Sequence, residues 1–454
     1  MTEIFSIKYN VKRREAMLKL RELTEDENKL LENTIDGIYR KLISFKAPVE
    51  NVQQLKKLAI REGRKTILEM PLPSNTKNKL LYFLERRIYG MDKLFELLQI
   101  PEIEEIIVNK ANKPVYIVHR RYGSLRTNII FSKEELARIA SNIATLCGKR
   151  ISLKNPIVEG QLPYNSRLQM IYGGKFTKDT TITIRKFLTK PLSLLDLIKN
   201  RTLTIEMAAY LWLLVDLEAS FIICGKPGAG KTTFVQALLS LIPPEKRIVT
   251  LESTPEINIL HENWLPLYYS DEKSEMRLFS EVLRQRPDYF IVGEIRKPFE
   301  ATTWVQALNS GILGMSTIHA ESAREVIRRL ESKPINLKPR QIAQINVIVT
   351  LKAFTTQTGI HRKVLSIEEI LGTDETGERL LSQITYVFQE GEFRKAYPTQ
   401  LIYNLSKTLM NPIHVENELR ARTEFLRKCL IENHDYTLFR REIVKYYEER
   451  NQLE

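Results

Sequence analysis

A chain of 454 residues is long enough for two or three domains and at least one large core. With 43% hydrophobic and 27% charged residues, its composition excludes a wholly disordered or membrane-embedded chain. The formal charge of +14 raises an anionic partner as a question, but Lys and Arg are spread along the chain and mixed with acids, which favours a solvated basic surface over a dedicated polyanion site.

The opening residues, MTEIFSIKYNVKRREAM, lack an apolar core of signal-peptide length, and the apolar runs at Ala208–Val215 and Phe221–Cys224 are too short to span a bilayer. A cytoplasmic protein is expected. Cys147, Cys224 and Cys429 show no metal or disulfide spacing and read as apolar fillers. Residues 11–92 read as helices: Leu31, Ile35, Ile38 and Leu42 repeat at helical spacing behind a Thr24/Glu27 capping box, and Val52, Leu55, Leu58 and Ala59 form a second stripe after a break at Pro48. A helical docking region over 1–92 is therefore expected. From Ile103, β-branched runs separated by Asn-Lys-Pro and Tyr-Gly-Ser turns give way to a helix over Lys133–Cys147 and to strands at Arg167–Tyr172 and Thr180–Phe187, a mixed α/β domain over 93–190. Residues 191–204 read as a linker and 205–454 as a third domain ending in charged helices, with Val415, Leu419, Leu426 and Leu430 on one side.

The chemistry begins at Gly225-Lys226-Pro227-Gly228-Ala229-Gly230-Lys231-Thr232, followed by Thr233. This run satisfies G-x-x-x-x-G-K-[ST] and lies between an apolar strand and an amphipathic helix, the context that a phosphate-binding loop requires. Glycines let backbone N–H groups turn toward phosphates, Lys231 reaches the terminal phosphates, and the Thr232 hydroxyl is suited to Mg2+. ATP and Mg2+ are the expected ligands. Downstream, the strand Tyr289–Val292 runs into Gly293 and Glu294. Where P-loop enzymes usually carry an Asp for magnesium this chain has glycine, which leaves Glu294 to orient and deprotonate the attacking water. Glu252, at the end of Ile248–Leu251, is the candidate magnesium-side acid; a solvated strand-end carboxylate is the alternative.

This constellation resembles the type II and type IV secretion ATPase superfamily, in particular its archaeal branch of pilus and archaellum assembly motors. The segments GKPGAGKTT, LESTPEI, RQRPDYFIVGEIR and GMSTIHA carry the likeness, with IEEIIVN, HRRYGSLRTNI, SRLQ and TITIRKF ahead of them, over roughly Met91–Leu371. The resemblance implies an α/β fold: a RecA-like P-loop core, a mixed α/β N-terminal domain, and helical N- and C-terminal extensions. It also implies a homo-hexamer, peripheral at the inner face of the cell membrane, that drives filament assembly or secretion through a polytopic membrane platform protein, with anionic lipid contact. By motif it assigns Arg167 and Arg185, and Arg284 or Arg286, to the terminal phosphate from the same or a neighbouring subunit, and His319 to the terminal phosphate or Glu294. Surface salt bridges and a core histidine are the alternatives. The chain departs from the family pattern at Ser253, where an acid usually follows Glu252, and at Ile312, where a histidine usually follows glycine. The tetracysteine zinc module of some members is absent. A RecA-type nucleic-acid translocase is the competing reading, favoured by the charge but without aromatic residues interleaved with a basic patch.

Overall fold

A computed structural model describes residues 4–44, 52–187, 191–269, 272–356, 359–409 and 412–451, which leaves the Pro48 break outside the described residues. The chain divides into two compact units, Met1–Thr189 with Thr358–Ile360, and Lys190–Gln357 with His361–Glu454. Among the described residues no helix is long and apolar enough to cross a membrane.

The first unit is built on an eight-stranded sheet ordered β1-β2-β5-β4-β3-β8-β7-β6. Its strands are β1 (Phe5–Asn10), β2 (Glu15–Leu20), β3 (Ile103–Val108), β4 (Pro114–His119), β5 (Gly123–Ile130), β6 (Ile157–Leu162), β7 (Ser166–Ile171) and β8 (Thr181–Lys186). Alternation sets the buried face: Leu125, Thr127 and Ile129 of β5 point inward between exposed neighbours. The helices Glu25–Ser44, Val52–Glu69, Ser74–Tyr89 and Lys133–Leu146 bury their apolar stripes in the same core as the sheet. The expected capping box forms: Thr24 N–H donates to Glu27 Oε2 at 2.8 Å and Glu27 N–H to Thr24 Oγ1 at 3.3 Å.

The all-helical reading of residues 11–92 is corrected here, because β2 falls within it and pairs with β5 in parallel. Asn128 makes that junction, accepting from Leu18 N–H at 2.8 Å and donating to Leu18 O at 2.9 Å, so its side-chain amide stands in for a ladder rung. Residues 1–92 thus share one core with the following α/β segment instead of forming a separate module.

The second unit carries a nine-stranded sheet ordered β11-β10-β12-β13-β9-β14-β15-β16-β17. Its strands are β9 (Phe221–Cys224), β10 (Ile248–Glu252), β11 (Trp264–Tyr268), β12 (Tyr289–Ile295), β13 (Leu313–Ile318), β14 (Val347–Thr356), β15 (Gly359–Thr373), β16 (Leu380–Gln389) and β17 (Glu392–Lys395). From β11 to β14 all pairings are parallel, and β9 is buried along its whole length, as a central strand covered on both faces must be.

The linker expected over 191–204 is also corrected. Ser193 and Asp196 form a capping box on a helix Leu194–Lys199 whose Leu194, Leu195 and Leu197 enter the second unit's core, along with Leu203. Six residues are too few for a helical repeat to show in the sequence. The closing helices Pro412–Ile431 and Tyr436–Asn451 are present as expected, with Val415 and Leu426 buried against that core. Of the cysteines, Cys224 and Cys429 are buried and Cys147 is half-buried.

Candidate active site

In a parallel sheet, loops at the carboxyl ends of the strands collect ligands, most often where the order reverses. Here β9 stands between β13 and β14, although β10, β12 and β13 follow it in sequence, and the carboxyl ends of β9, β10, β12 and β13 bring Gly225, Glu252, Glu294 and His319 to one edge. The loop 225–230 leads into the helix Lys231–Leu239. Gly225 is required sterically: a Cβ there would lie 2.5 Å from the Leu351 carbonyl oxygen. Gly230 enters the helix with φ 94°, a left-handed conformation that favours glycine. Lys226, Pro227 and Gly228 are exposed, Ala229 is buried, and Thr232 and Thr233 are half-buried on the first helical turn.

Lys231 is 8% exposed, and its ammonium donates to the carbonyls of Gly225 at 3.1 Å and Lys226 at 3.4 Å. Its Nζ also lies 3.0 Å from His319 Nδ1. An ammonium can only donate, so Nδ1 accepts and the neutral imidazole carries its proton on Nε2. That proton-bearing nitrogen lies 2.6 Å from Glu294 Oε1, in a contact too bent to count as a hydrogen bond. The other carboxylate oxygen, Oε2, accepts from Arg296 Nε at 2.9 Å and Nη2 at 2.6 Å. A continuous polar chain thus runs Lys231, His319, Glu294, Arg296 across the ends of β9, β13 and β12. Arg329 donates to the His319 carbonyl at 2.9 Å, and Thr317 Oγ1 to the Gly293 carbonyl at 2.7 Å, which fixes the backbone on both sides.

Gly293 has a structural reason. A Cβ at this position would stand 2.9 Å from Glu252 Cγ, so the missing side chain makes room for that buried acid. The β12–β13 register shifts between Val292 and Ile295, which is where Gly293 and Glu294 leave the ladder. Glu252 itself is 4% exposed and accepts from the backbone N–H groups of Glu256 at 3.3 Å and Ile257 at 3.2 Å. Burial pushes its carboxyl up to about 8, against the pull of those two donors.

The acid on the Thr232 hydroxyl is Glu256, not Glu252: Thr232 Oγ1 donates to Glu256 Oε2 at 3.1 Å. Glu252 is turned onto its own loop, where the N–H groups of Glu256 and Ile257 hold it. Gln236, one turn along the P-loop helix, braces that loop by donating to the Glu256 carbonyl at 3.1 Å and accepting from Asn258 N–H at 3.3 Å. The far end of the same helix is held by Arg440, buried on Tyr436–Asn451. Its guanidinium donates to Ser240 O at 2.7 Å and Ile242 O at 2.8 Å, a cation at the helix's negative end. Arg440 Nη2 also donates to His261 Nδ1 at 2.9 Å, while His261 Nε2 meets the Lys246 carbonyl at 2.7 Å; burial holds this imidazole neutral by lowering it to about 4.

Two of the expected arginines, Arg284 and Arg286, stand apart from the cradle of their own chain. Arg284 and Arg286 precede β12, at the end of that strand opposite Glu294, about 20 Å away at the rise of an extended chain. Arg284 is exposed and pairs with Glu281 at 3.2 Å. They do not join this chain's own cradle. Arg167 and Arg185 belong to the first unit, where they are direct cross-strand partners on β7 and β8; Arg167 pairs with Glu159 at 3.0 Å. Like charges directly opposite one another destabilise a sheet, and here acids flank the pair on both sides: Glu159 on β6 meets Arg167, and Glu105 on β3 is the other cross-strand neighbour of Arg185.

Glu256, Arg296, Gln236 and Arg362, whose Nε donates to the Gly228 carbonyl at 2.8 Å, were not singled out from sequence. Glu256 and Arg296 lie within LESTPEI and GEIR, one acid and one base further on than the residues chosen. Arg362 has no local signal.

Strand order and cradle together define a RecA-like P-loop fold. The chain belongs to the family described as Type II/IV secretion system protein, which matches residues 90–369. It is 34% identical over 390 residues to the protein MJ0900 of Methanocaldococcus jannaschii, covering 83% of this chain and 69% of that one. It is 27% identical over 274 residues to the Type IV secretion system protein VirB11 of Bartonella henselae, covering 51% and 76%. Among solved structures, the Yersinia pseudotuberculosis ATPase DotB aligns with a TM-score of 0.49 at 15% identity, covering 76% of this chain and 86% of that one.

Proposed function

We propose that this chain hydrolyses ATP with Mg2+ and, as a ring of six copies, converts turnover into domain movement that drives assembly of a type IV pilus-like filament, or secretion, through an integral membrane partner. The observation that carries the reading is the run of polar groups from Lys231 through His319 to Glu294, the carboxylate to which this reading gives the activation of water. The residues present fit the ligands: a loop that tolerates no side chain at Gly225, a buried lysine facing inward, and a hydroxyl–carboxylate pair, Thr232 and Glu256. Thr232 and Glu256 would hold Mg2+, which when bound neutralises charge on the phosphates.

In this reading Lys231 exchanges the carbonyls of Gly225 and Lys226 for phosphate oxygens. Its departure leaves His319 Nδ1 without its donor. Glu294 keeps Oε2 on Arg296, and Oε1, which lies beside His319 without a hydrogen bond, is the oxygen left to accept the proton of the attacking water. Arg167 and Arg185 are candidates for the charge that builds on the transferred group, as are Arg284 and Arg286 supplied to a neighbouring copy, a role worth about 10³ to 10⁵ in rate where it operates. The purified chain should release phosphate from ATP only with Mg2+ present. Lys231→Ala should remove that activity together with ATP binding, and undiminished phosphate release by this variant would overturn the assignment.

A further inference from the structure

At the end of β6, β7 and β8 away from Arg167 and Arg185, two loops of the first unit lie side by side, 148–156 and 172–180. Leu153 Cδ2 comes within 2.7 Å of where a Cβ on Gly174 would be, so the loops form one continuous surface around a depression of about 520 Å³. Each loop is tied internally, Ser152 N–H to Asn155 O at 3.2 Å and Gly174 N–H to Thr177 O at 2.7 Å.

Lys149, Arg150, Lys154, Lys175 and Lys178 are all exposed on these loops, and their one acid is Asp179. None of the five makes an ion pair with a carboxylate among the described residues, unlike Arg167, which Glu159 occupies. Beside them, Phe176, Leu153 and Ile157 are 62%, 61% and 53% exposed. Large apolar side chains set among unpaired cations are what an anionic lipid surface selects: the cations meet headgroup phosphates while the apolar tips enter the acyl boundary. A nucleic-acid surface would present stacking rings instead, and of the two aromatic residues in these loops Tyr172 is half-buried and only Phe176 is exposed, with Lys175 Nζ 5.3 Å from its centroid.

We infer that this basic and apolar loop pair is the surface by which the chain rests on an acidic membrane. The inference rests on the proposal that the protein works at a membrane, and it is tested separately from ATP hydrolysis. The full chain should float with vesicles of phosphatidylcholine containing one-third phosphatidylglycerol, less so at high salt, and not with phosphatidylcholine alone. The triple variant Lys149→Glu, Lys154→Glu, Lys175→Glu should bind those vesicles about 100-fold more weakly. Phe176→Ser should lose roughly 10-fold. Both variants should keep the wild-type melting temperature and phosphate-release rate in solution, since every altered side chain is exposed. Flotation of the triple variant equal to wild type would overturn the assignment. So would a wild-type chain that ignores anionic vesicles, or one that instead retains single-stranded DNA through these lysines.

Discussion

The second unit contains two charged networks of similar chemistry and opposite design. The network at the strand ends, Lys231–His319–Glu294–Arg296, is half-open: His319 is 42% and Arg296 57% exposed at the side chain. The other joins the closing helices to the helix Ile205–Asp216. Arg422, 1% exposed, pairs with Asp216 and Glu418; Tyr447 donates to Asp216, and Arg450 reaches Glu418 at 2.5 Å. The Arg422 guanidinium lies 5.2 Å from the Trp212 ring centroid, and Trp212 Nε1 donates to Tyr447 Oη at 2.9 Å. Burial removes water as a competitor, so those partners are permanent, while partial exposure at the strand ends keeps the first network exchangeable.

The contrast predicts different failures. Glu294→Gln should lower phosphate release at saturating ATP by about 10²- to 10⁴-fold while ATP still binds and the melting temperature stays within a few degrees of wild type; a rate within threefold of wild type would remove Glu294 from its role. Arg422→Ala should do the reverse, costing about 3–5 kcal/mol in denaturant unfolding because Asp216 is left buried without its cation. A loss below about 1 kcal/mol would mean that the buried network is no more structural than the open one. Glu256→Gln should raise the Mg2+ concentration for half-maximal activity by about 10- to 100-fold, measured by titrating the metal at fixed ATP, whereas Glu252→Gln should shift it little. The reverse ranking would restore Glu252 as the metal-side acid.

The smallest expected effect is a slope. Glu252 holds its proton up to about pH 8 when folded and releases it near the ordinary carboxylate value when unfolded. Between about pH 4.5 and 8 the native state therefore binds the extra proton, and stability falls as pH rises, by up to about 1.4 kcal/mol per pH unit. Glu252→Gln should flatten that dependence in chemical denaturation across the same window; an unchanged slope would show that the buried carboxyl is ionised.

Where the deciding information was local, it was legible. The P-loop is a contiguous run whose strand and helix flank it, the Thr24/Glu27 box spans one turn, and β3, β4, β5, β7 and β8 announce themselves by alternation and turns. The N-terminal hairpin was not legible, because β1 and β2 are short, charged strands stabilised by a distant partner, β5, and by Asn128. The helix Leu194–Lys199 gave too few residues for a period, so its leucines read as a linker.

The sequence by itself determined that this chain carries a phosphate-loop motif between a strand and a helix and that Glu294 stands at the end of an apolar strand, because glycine spacing and a carboxylate at a strand end act through their own backbone. Only the tertiary structure decided which acid meets Thr232, why residue 293 carries no side chain, and that His319 bridges Lys231 to Glu294. Those are contacts between the ends of different strands, set by sheet order and burial, and no spacing along the chain encodes them.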